Sequence, residues 1–153
     1  MNIVLDTNVL VAGLLSPYGT CGEVLRMVSS GELALCFDAR ILAEYAEVLA
    51  RPKFKFEEEK TSALLDYIEH NGHKGAPLPL PGPLPDPDHE PFLETAIACE
   101  AACLVTGNKN HFPPGLRSGT RVFSPKEFLE FYKKEQKKRV RKRPTQTRRQ
   151  SRS

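Results

Sequence analysis

The chain has 153 residues, 40% hydrophobic and 27% charged, with 22 Lys+Arg against 19 Asp+Glu, a size that suits one domain with a hydrophobic core. No apolar run reaches the roughly 18 to 20 residues a membrane span needs, and Met1-Asn2-Ile3-Val4-Leu5-Asp6 has neither the basic start nor the apolar core of a signal peptide, so a soluble, cytoplasmic protein without membrane association is expected. The net charge of +3 is unevenly spread: residues 133–153 carry 11 Lys/Arg and one acid, which leaves a body near −7 beside a tail near +10.

Asn2-Ile3-Val4-Leu5 is a short apolar run ended by Asp6-Thr7-Asn8, the pattern of a buried strand leading into a helix through polar cap residues. Helices are expected over 9–15 and 22–29, a second strand over 33–37, and a helix over 39–51 stopped by Pro52. The next helix, 56–71, carries Glu57, Glu58 and Glu59 at its start, where the helix dipole favours negative charge. Seven prolines between Gly75 and Pro91 make that stretch a surface loop, with a short strand near 74–80 at its beginning. A helix from Glu90 or Pro91 to about Ala102, strands over 104–106 and 121–123, and a last helix from Ser124 follow. Ser124-Pro125-Lys126-Glu127 offers a cap residue, a proline at the first helical position and an acid at the third. Strands alternating with helices imply an α/β fold with a parallel sheet covered on both faces. The domain is placed at 1–138 and a basic, disordered tail, nearly free of apolar residues, at 139–153.

Cys21, Cys36, Cys99 and Cys103 form no CxxC pair and read as reduced, mostly buried packing residues. A zinc site of four thiolates is the sharper alternative, disfavoured by their separation and by surroundings such as Leu33-Ala34-Leu35-Cys36-Phe37.

In an open parallel sheet, functional groups gather beyond the carboxyl ends of the strands, where Asp6 and, on a later strand, Thr106-Gly107-Asn108 stand. An acid in the place of Asp6 is equally a candidate helix cap. Ile41, Leu42, Tyr45, Ala46, Val48 and Leu49 make an apolar helix face, and Glu44 falls roughly 40° beyond Val48 at about 100° per residue. That rim position can reach a cleft beside the sheet or be merely solvated. Asp86-Pro87-Asp88-His89-Glu90-Pro91-Phe92 sets three acids at alternate positions before a helix, more than a helix start requires. Glu90 shares a face with Leu93 and Ile97, which aims it at the edge that holds Asp6. His89, in a Pro-rich loop, reads as a surface residue, and His70, His73 and His111 make no cleaner case for a ligand. Acids brought together from separate segments repel, so such a cluster implies a cation, and oxygen-only ligation selects Mg²⁺ or Mn²⁺ over zinc.

The assembled residues resemble the PIN domain family, in particular the ribonuclease-like toxins of bacterial and archaeal toxin–antitoxin pairs, over about residues 2–132. Carrying the resemblance, in order, are Ile3-Val4-Leu5-Asp6-Thr7-Asn8-Val9-Leu10, then Glu44-Tyr45 with Leu49-Ala50-Arg51-Pro52-Lys53-Phe54, then Asp86-Pro87-Asp88 with Glu90-Pro91-Phe92-Leu93, then Leu104-Val105-Thr106-Gly107-Asn108 and Ser124-Pro125-Lys126-Glu127-Phe128-Leu129. The resemblance implies a three-layer α/β/α sandwich around a four- to five-stranded, mainly parallel sheet. It also implies a metal-dependent endoribonuclease using one or two Mg²⁺ or Mn²⁺. Carried onto this chain, the catalytic and metal-binding acids are Asp6, Glu44 and Glu90 with Asp88 beside it, the loop's register deciding which of the last two ligates. Thr7, Asn8, Thr106 and Asn108 support them. Asn108 and Asn110 stand where the family often has acids; the change removes negative charge and weakens the case for a second metal, although Asn108 keeps a carbonyl oxygen to offer. The same resemblance implies an RNA substrate, a small antitoxin that occludes the site and, in many members, a homodimer.

Two rivals belong to other classes. A phosphatase of the DxDx[T/V] type also opens with an acid after a buried strand, but Asn8 takes the place of its second aspartate. A non-catalytic PIN-fold module that binds RNA or protein draws support from Asn108 and Asn110. The tail, with Arg141, Lys142, Arg143, Arg148 and Arg149 and no aromatic residue after Tyr132, suits salt-sensitive phosphate contacts over base stacking; a solubilising terminus would have the same composition.

Overall fold

The computed structural model describes residues 1–142. Among these, five strands, β1 (Asn2–Leu5), β2 (Ala34–Phe37), β3 (His73–Lys74), β4 (Cys103–Val105) and β5 (Val122–Phe123), form one sheet. Its order is β3-β2-β1-β4-β5 and every neighbouring pair is parallel. The helices α1 (Thr7–Leu15) and α2 (Thr20–Ser29) connect β1 to β2, α3 (Ala39–Leu49) and α4 (Glu58–Asn71) lead to β3, α5 (Glu90–Ala98) precedes β4, and α6 (Pro125–Lys142) follows β5.

Ile3, Val4 and Leu5 are all fully buried. Successive strand side chains point to opposite faces, so consecutive burial requires cover on both, and the molecule is an α/β sandwich. α5 packs on β1, β2 and β4, whereas α2 packs on α1 and α6. Among the described residues, no helix is long and apolar enough to cross a membrane. All four cysteines are free thiols, and burial pushes those of Cys36 and Cys103 up to about 12.

The departures from the sequence expectation lie at element ends. α5 stops at Ala98 because Glu100 adopts a left-handed φ of 49° and the Ala101 N–H returns to the Ala96 carbonyl at 2.9 Å, turning the chain into β4. β3 stops at Lys74: the Gly75 N–H still reaches the Phe37 carbonyl at 2.8 Å, but the prolines from Pro77 onward have no N–H to extend the ladder. α3 ends at Leu49, and a 3₁₀ turn over Pro52–Phe54 follows. At the start of α6 the expected box forms, with the Glu127 N–H donating to Ser124 Oγ at 3.2 Å and the Ser124 N–H to Glu127 Oε1 at 2.9 Å. The Ser124 N–H, then Lys109, holds the Glu127 carboxyl below its ordinary range. α6 runs on to Lys142, so 139–142 is helical. The rest of the expected tail, with Arg143, Arg148 and Arg149, lies outside the described residues.

The sheet order reverses around β1, which has β2 on one side and β4 on the other. In such sheets a crevice opens beyond the carboxyl ends at the reversal. Tyr45 of α3 sets one wall of it: its buried hydroxyl donates to the Leu5 carbonyl at 2.6 Å. Burial, ahead of the charges of Asp6 and Glu44, pushes this phenol well above its ordinary range, so it remains a neutral donor. Tyr45→Phe leaves that carbonyl buried and unpaired, with an expected loss of about 1 to 3 kcal/mol. A urea unfolding curve with a lower midpoint and unchanged slope would record the loss; an unchanged midpoint would contradict the clamp.

Candidate metal centre at the carboxyl edge of the sheet

Asp6 follows directly on β1, and its N–H extends the ladder to the Val105 carbonyl at 2.9 Å. Its main chain occupies the cap position of α1, accepting the Val9 N–H at 3.0 Å, yet its side chain makes no capping bond. Asp38, at the same place after β2, does cap its helix, accepting the Ile41 N–H at 2.9 Å. The Asp6 carboxylate turns instead toward β4, where its Oδ2 accepts from Thr106 Oγ1 at 2.8 Å, and the residue is 3% exposed. Thr106 Oγ1 in turn accepts the Asn108 N–H at 3.1 Å. Asn8 Oδ1 accepts the Gly107 N–H at 3.2 Å, tying the first turn of α1 to the loop after β4.

Glu44 holds the half-buried rim position that α3 periodicity implies, and its Oε2 accepts from the Thr7 hydroxyl. Asp6, Thr7, Asn8, Glu44 and His89 line one side of an open cleft of about 360 Å³, with Val11, Leu15, Val48 and Phe54 as its apolar wall.

His89, expected at the surface, is turned inward. It ends a 3₁₀ turn, Pro87–His89, that Asp86 caps by accepting the Asp88 N–H on Oδ1 at 3.0 Å. Its side chain is 17% exposed, with Nδ1 3.9 Å from Asp6 Oδ2 and Nε2 3.7 Å from Asp86 Oδ2. The ring stacks on His111, centroids 3.9 Å apart, and stands edge-on to Phe112 at 5.6 Å. His111 ends a matching 3₁₀ turn, Lys109–His111, capped by Asn108, whose Oδ1 accepts the Asn110 N–H at 3.0 Å and whose Nδ2 lies 3.3 Å from His111 Nε2. The Nδ1 atoms of both histidines are buried and unpartnered. Asp6, His89 and His111 each offer a ligand atom within 4.8 Å of the other two, and no other acid or thiol joins this group among the described residues.

Asp88 and Glu90 are not brought to Asp6. Asp88 is exposed. Glu90 Oε2 accepts the Leu84 N–H at 3.0 Å, and Glu94, one turn on, accepts the Leu80 N–H at 3.2 Å. Between Pro77 and Pro85 every second residue is proline, so N–H donors remain only at alternate positions. Two of these are taken by carboxylates four residues apart on α5, which share a helix face. Glu94 also meets Arg40 at 2.8 Å, and Arg40 meets Asp38 at 2.7 Å.

A family model described as a PIN domain matches residues 2–110. The chain belongs to the PIN domain family. No curated protein and no solved structure matches it. PIN domains are generally metal-dependent nucleases, and the residues of this PIN domain fit a divalent cation. A buried carboxylate with lone pairs to spare faces two imidazoles whose buried nitrogens lack partners. The sequence reading missed both histidines, although a signal was present: Asp86-Pro87-Asp88-His89 and Asn108-Lys109-Asn110-His111 repeat one pattern, a capping side chain three residues before a histidine. In 3₁₀ geometry, residues three apart lie on one side.

Replacing Glu90 with alanine is expected to cost about 1.5 to 3 kcal/mol of stability through the lost charged hydrogen bond while leaving divalent-metal affinity unchanged. Thermal unfolding and a metal titration on the same preparation test both parts. Loss of metal binding in folded Glu90→Ala protein would return Glu90 to the metal centre.

Proposed function

We propose that this PIN domain is a divalent-metal-dependent endoribonuclease that cleaves RNA phosphodiester bonds, acts in the cytoplasm, and is the toxin of a toxin–antitoxin pair. The observation that carries this reading is Asp6: a buried carboxylate in the cap position that does not cap, beside two partnerless imidazole nitrogens at the reversal point of the sheet. Asp6, His89 and His111 would hold the ion, for which the family resemblance implies Mg²⁺ or Mn²⁺. Bound there, a divalent ion supplies an acidified water and neutralises charge developing on the phosphoryl group. Thr106 orients the Asp6 carboxylate through Oδ2, the oxygen that also lies 3.9 Å from His89 Nδ1. Glu44, steadied by the Thr7 hydroxyl at the cleft's rim, orients the attacking water and accepts its proton.

The apolar wall of the cleft supports a protein partner such as an antitoxin. It continues to Leu15, 54% exposed; the same surface would serve a homodimer. Arg141 and Lys142, in the last turn of α6, begin the cationic run that would contact RNA phosphates.

A second reading, a non-catalytic module that binds RNA or protein, is favoured by one observation: Asp6 is the single carboxylate of the candidate centre among the described residues, and the loop after β4 carries asparagines at 108 and 110. The deciding assay incubates labelled single-stranded RNA with the purified chain and Mg²⁺, Mn²⁺ or Zn²⁺, beside a chelator control and Asp6→Asn. The nuclease reading expects cleavage that chelation abolishes and that Asp6→Asn lowers by about 100-fold or more. RNA binding without cleavage under any of the three ions would establish the module instead. Deleting residues 143–153 is expected to weaken RNA binding at low salt and flatten the dependence of log affinity on log salt; equal binding at every salt concentration would remove the tail from the interface.

A further inference from the structure

The donor set at the sheet edge differs from the oxygen-only ligation the resemblance implies. Resting on the reading of this cluster as the chain's metal centre, the geometry points to a site for a borderline divalent transition ion, of the Co²⁺ or Zn²⁺ kind, held by Asp6, His89 and His111 in preference to Mg²⁺. Mg²⁺ demands oxygen ligands in near-octahedral geometry and sheds water reluctantly, whereas imidazole suits the later first-row ions. One oxygen of each nearby side chain that could build a Mg²⁺ site is already committed to a protein donor. Glu90 Oε2 holds the Leu84 N–H, Asp86 Oδ1 the Asp88 N–H, Asn108 Oδ1 the Asn110 N–H, and Glu44 Oε2 the Thr7 hydroxyl.

Imidazole nitrogen is what the edge offers in their place. A buried nitrogen with no partner is uncommon in a native protein, and here two of them, His89 Nδ1 and His111 Nδ1, accompany the same carboxylate. The surroundings of His89 are those of a ligand. Asp86 Oδ2 stands 3.7 Å from His89 Nε2, the side opposite Nδ1, so with an ion between Nδ1 and Asp6, which are 3.9 Å apart, the ring's proton has a carboxylate to face at Nε2. Asn108 acts on His111 in the opposite sense, with its amide 3.3 Å from Nε2. Because Oδ1 of that amide is committed to the Asn110 N–H, Nδ2 is the donor and His111 Nε2 the acceptor. His111 therefore ligates either through Nε2 in place of this contact, or through Nδ1 after its proton moves to Nε2 and the amide turns. Neither arrangement would assist a purely oxygen-ligated ion.

The test measures binding rather than turnover. The full-length chain, stripped with chelator, is titrated with Zn²⁺, Co²⁺ and Mg²⁺ by calorimetry, and the visible absorption of bound Co²⁺ reports nitrogen ligation. Zn²⁺ and Co²⁺ are expected to bind one per chain, about 100-fold or more tighter than Mg²⁺. His89→Ala and His111→Ala should each weaken Zn²⁺ by about 10-fold or more, and a His70→Ala/His73→Ala variant, altered at exposed rings, should not. Should His89→Ala fail to fold, His89→Asp serves: it restores an oxygen donor and narrows the preference for Zn²⁺ over Mg²⁺. Mg²⁺ binding as tight as Zn²⁺, or Zn²⁺ affinity unmoved in the folded histidine variants, overturns the proposal and leaves the ring pair as packing on Phe112. The two readings fail separately. Tight, histidine-dependent Zn²⁺ binding with no RNA cleavage removes the nuclease alone, whereas Mg²⁺-driven cleavage undiminished by His89→Ala removes the transition-ion site alone.

Discussion

A carboxylate as buried as that of Asp6, receiving a single hydrogen bond from Thr106 within the described residues, carries a desolvation cost of several kcal/mol unless a charge or further donors compensate it. The start of α1 contributes part of this through its dipole. The rest of the sheet edge is arranged around what remains. Parallel pairing of β1 with β4 brings Thr106 and the histidine-bearing loop after it alongside Asp6. The Tyr45 hydroxyl, bound to the last carbonyl of β1, fixes α3 against the same edge and with it Glu44. Since β1 is buried on both faces, the crevice beyond its carboxyl end is where this carboxylate can meet solvent, substrate or ion.

Most other acids nearby serve local structural needs. Arg40 neutralises Asp38 and Glu94 together, and two carboxylates on α5 hold a loop whose alternating prolines leave it few donors. That loop cannot join the sheet, so its path is fixed from outside, by Glu90, Glu94 and the burial of Leu84. Its path then decides that His89, rather than Asp88 or Glu90, arrives at Asp6.

The strands, the helices and the places of Asp6, Glu44 and Thr106 were legible because all three residues sit on or directly beside regular elements, whose period fixes where a side chain points. Glu90 shows where that logic fails. It shares a helix face with Leu93 and Ile97, but Ile97 is itself 40% exposed, and this part of α5 faces the proline loop rather than the crevice. Apolar spacing identifies a face without identifying what covers it. His89 and His111 were hidden for a related reason: in a single 3₁₀ turn the direction of a ring depends on the capping side chain three residues earlier, and no periodicity extends far enough to reveal it. Element ends moved likewise wherever a left-handed residue, as at Glu100, or a run of prolines intervened.

Electrostatics joins the histidines to Asn108 and Asn110. Several carboxylates around one divalent ion would cancel its charge, and the body of this chain is already acidic. Asp6 with two imidazoles would leave such an ion roughly one net positive charge, which the carboxylates of Glu44 in the same cleft and Asp86 beside His89 would offset. In an open cleft a phosphodiester would then be held by direct contact with the ion rather than by a long-range positive field. Imidazole at 89 and 111 therefore goes physically with neutral side chains at 108 and 110: an ion held by Asp6 and the two rings would have few anionic ligands and would have to be one that tolerates nitrogen.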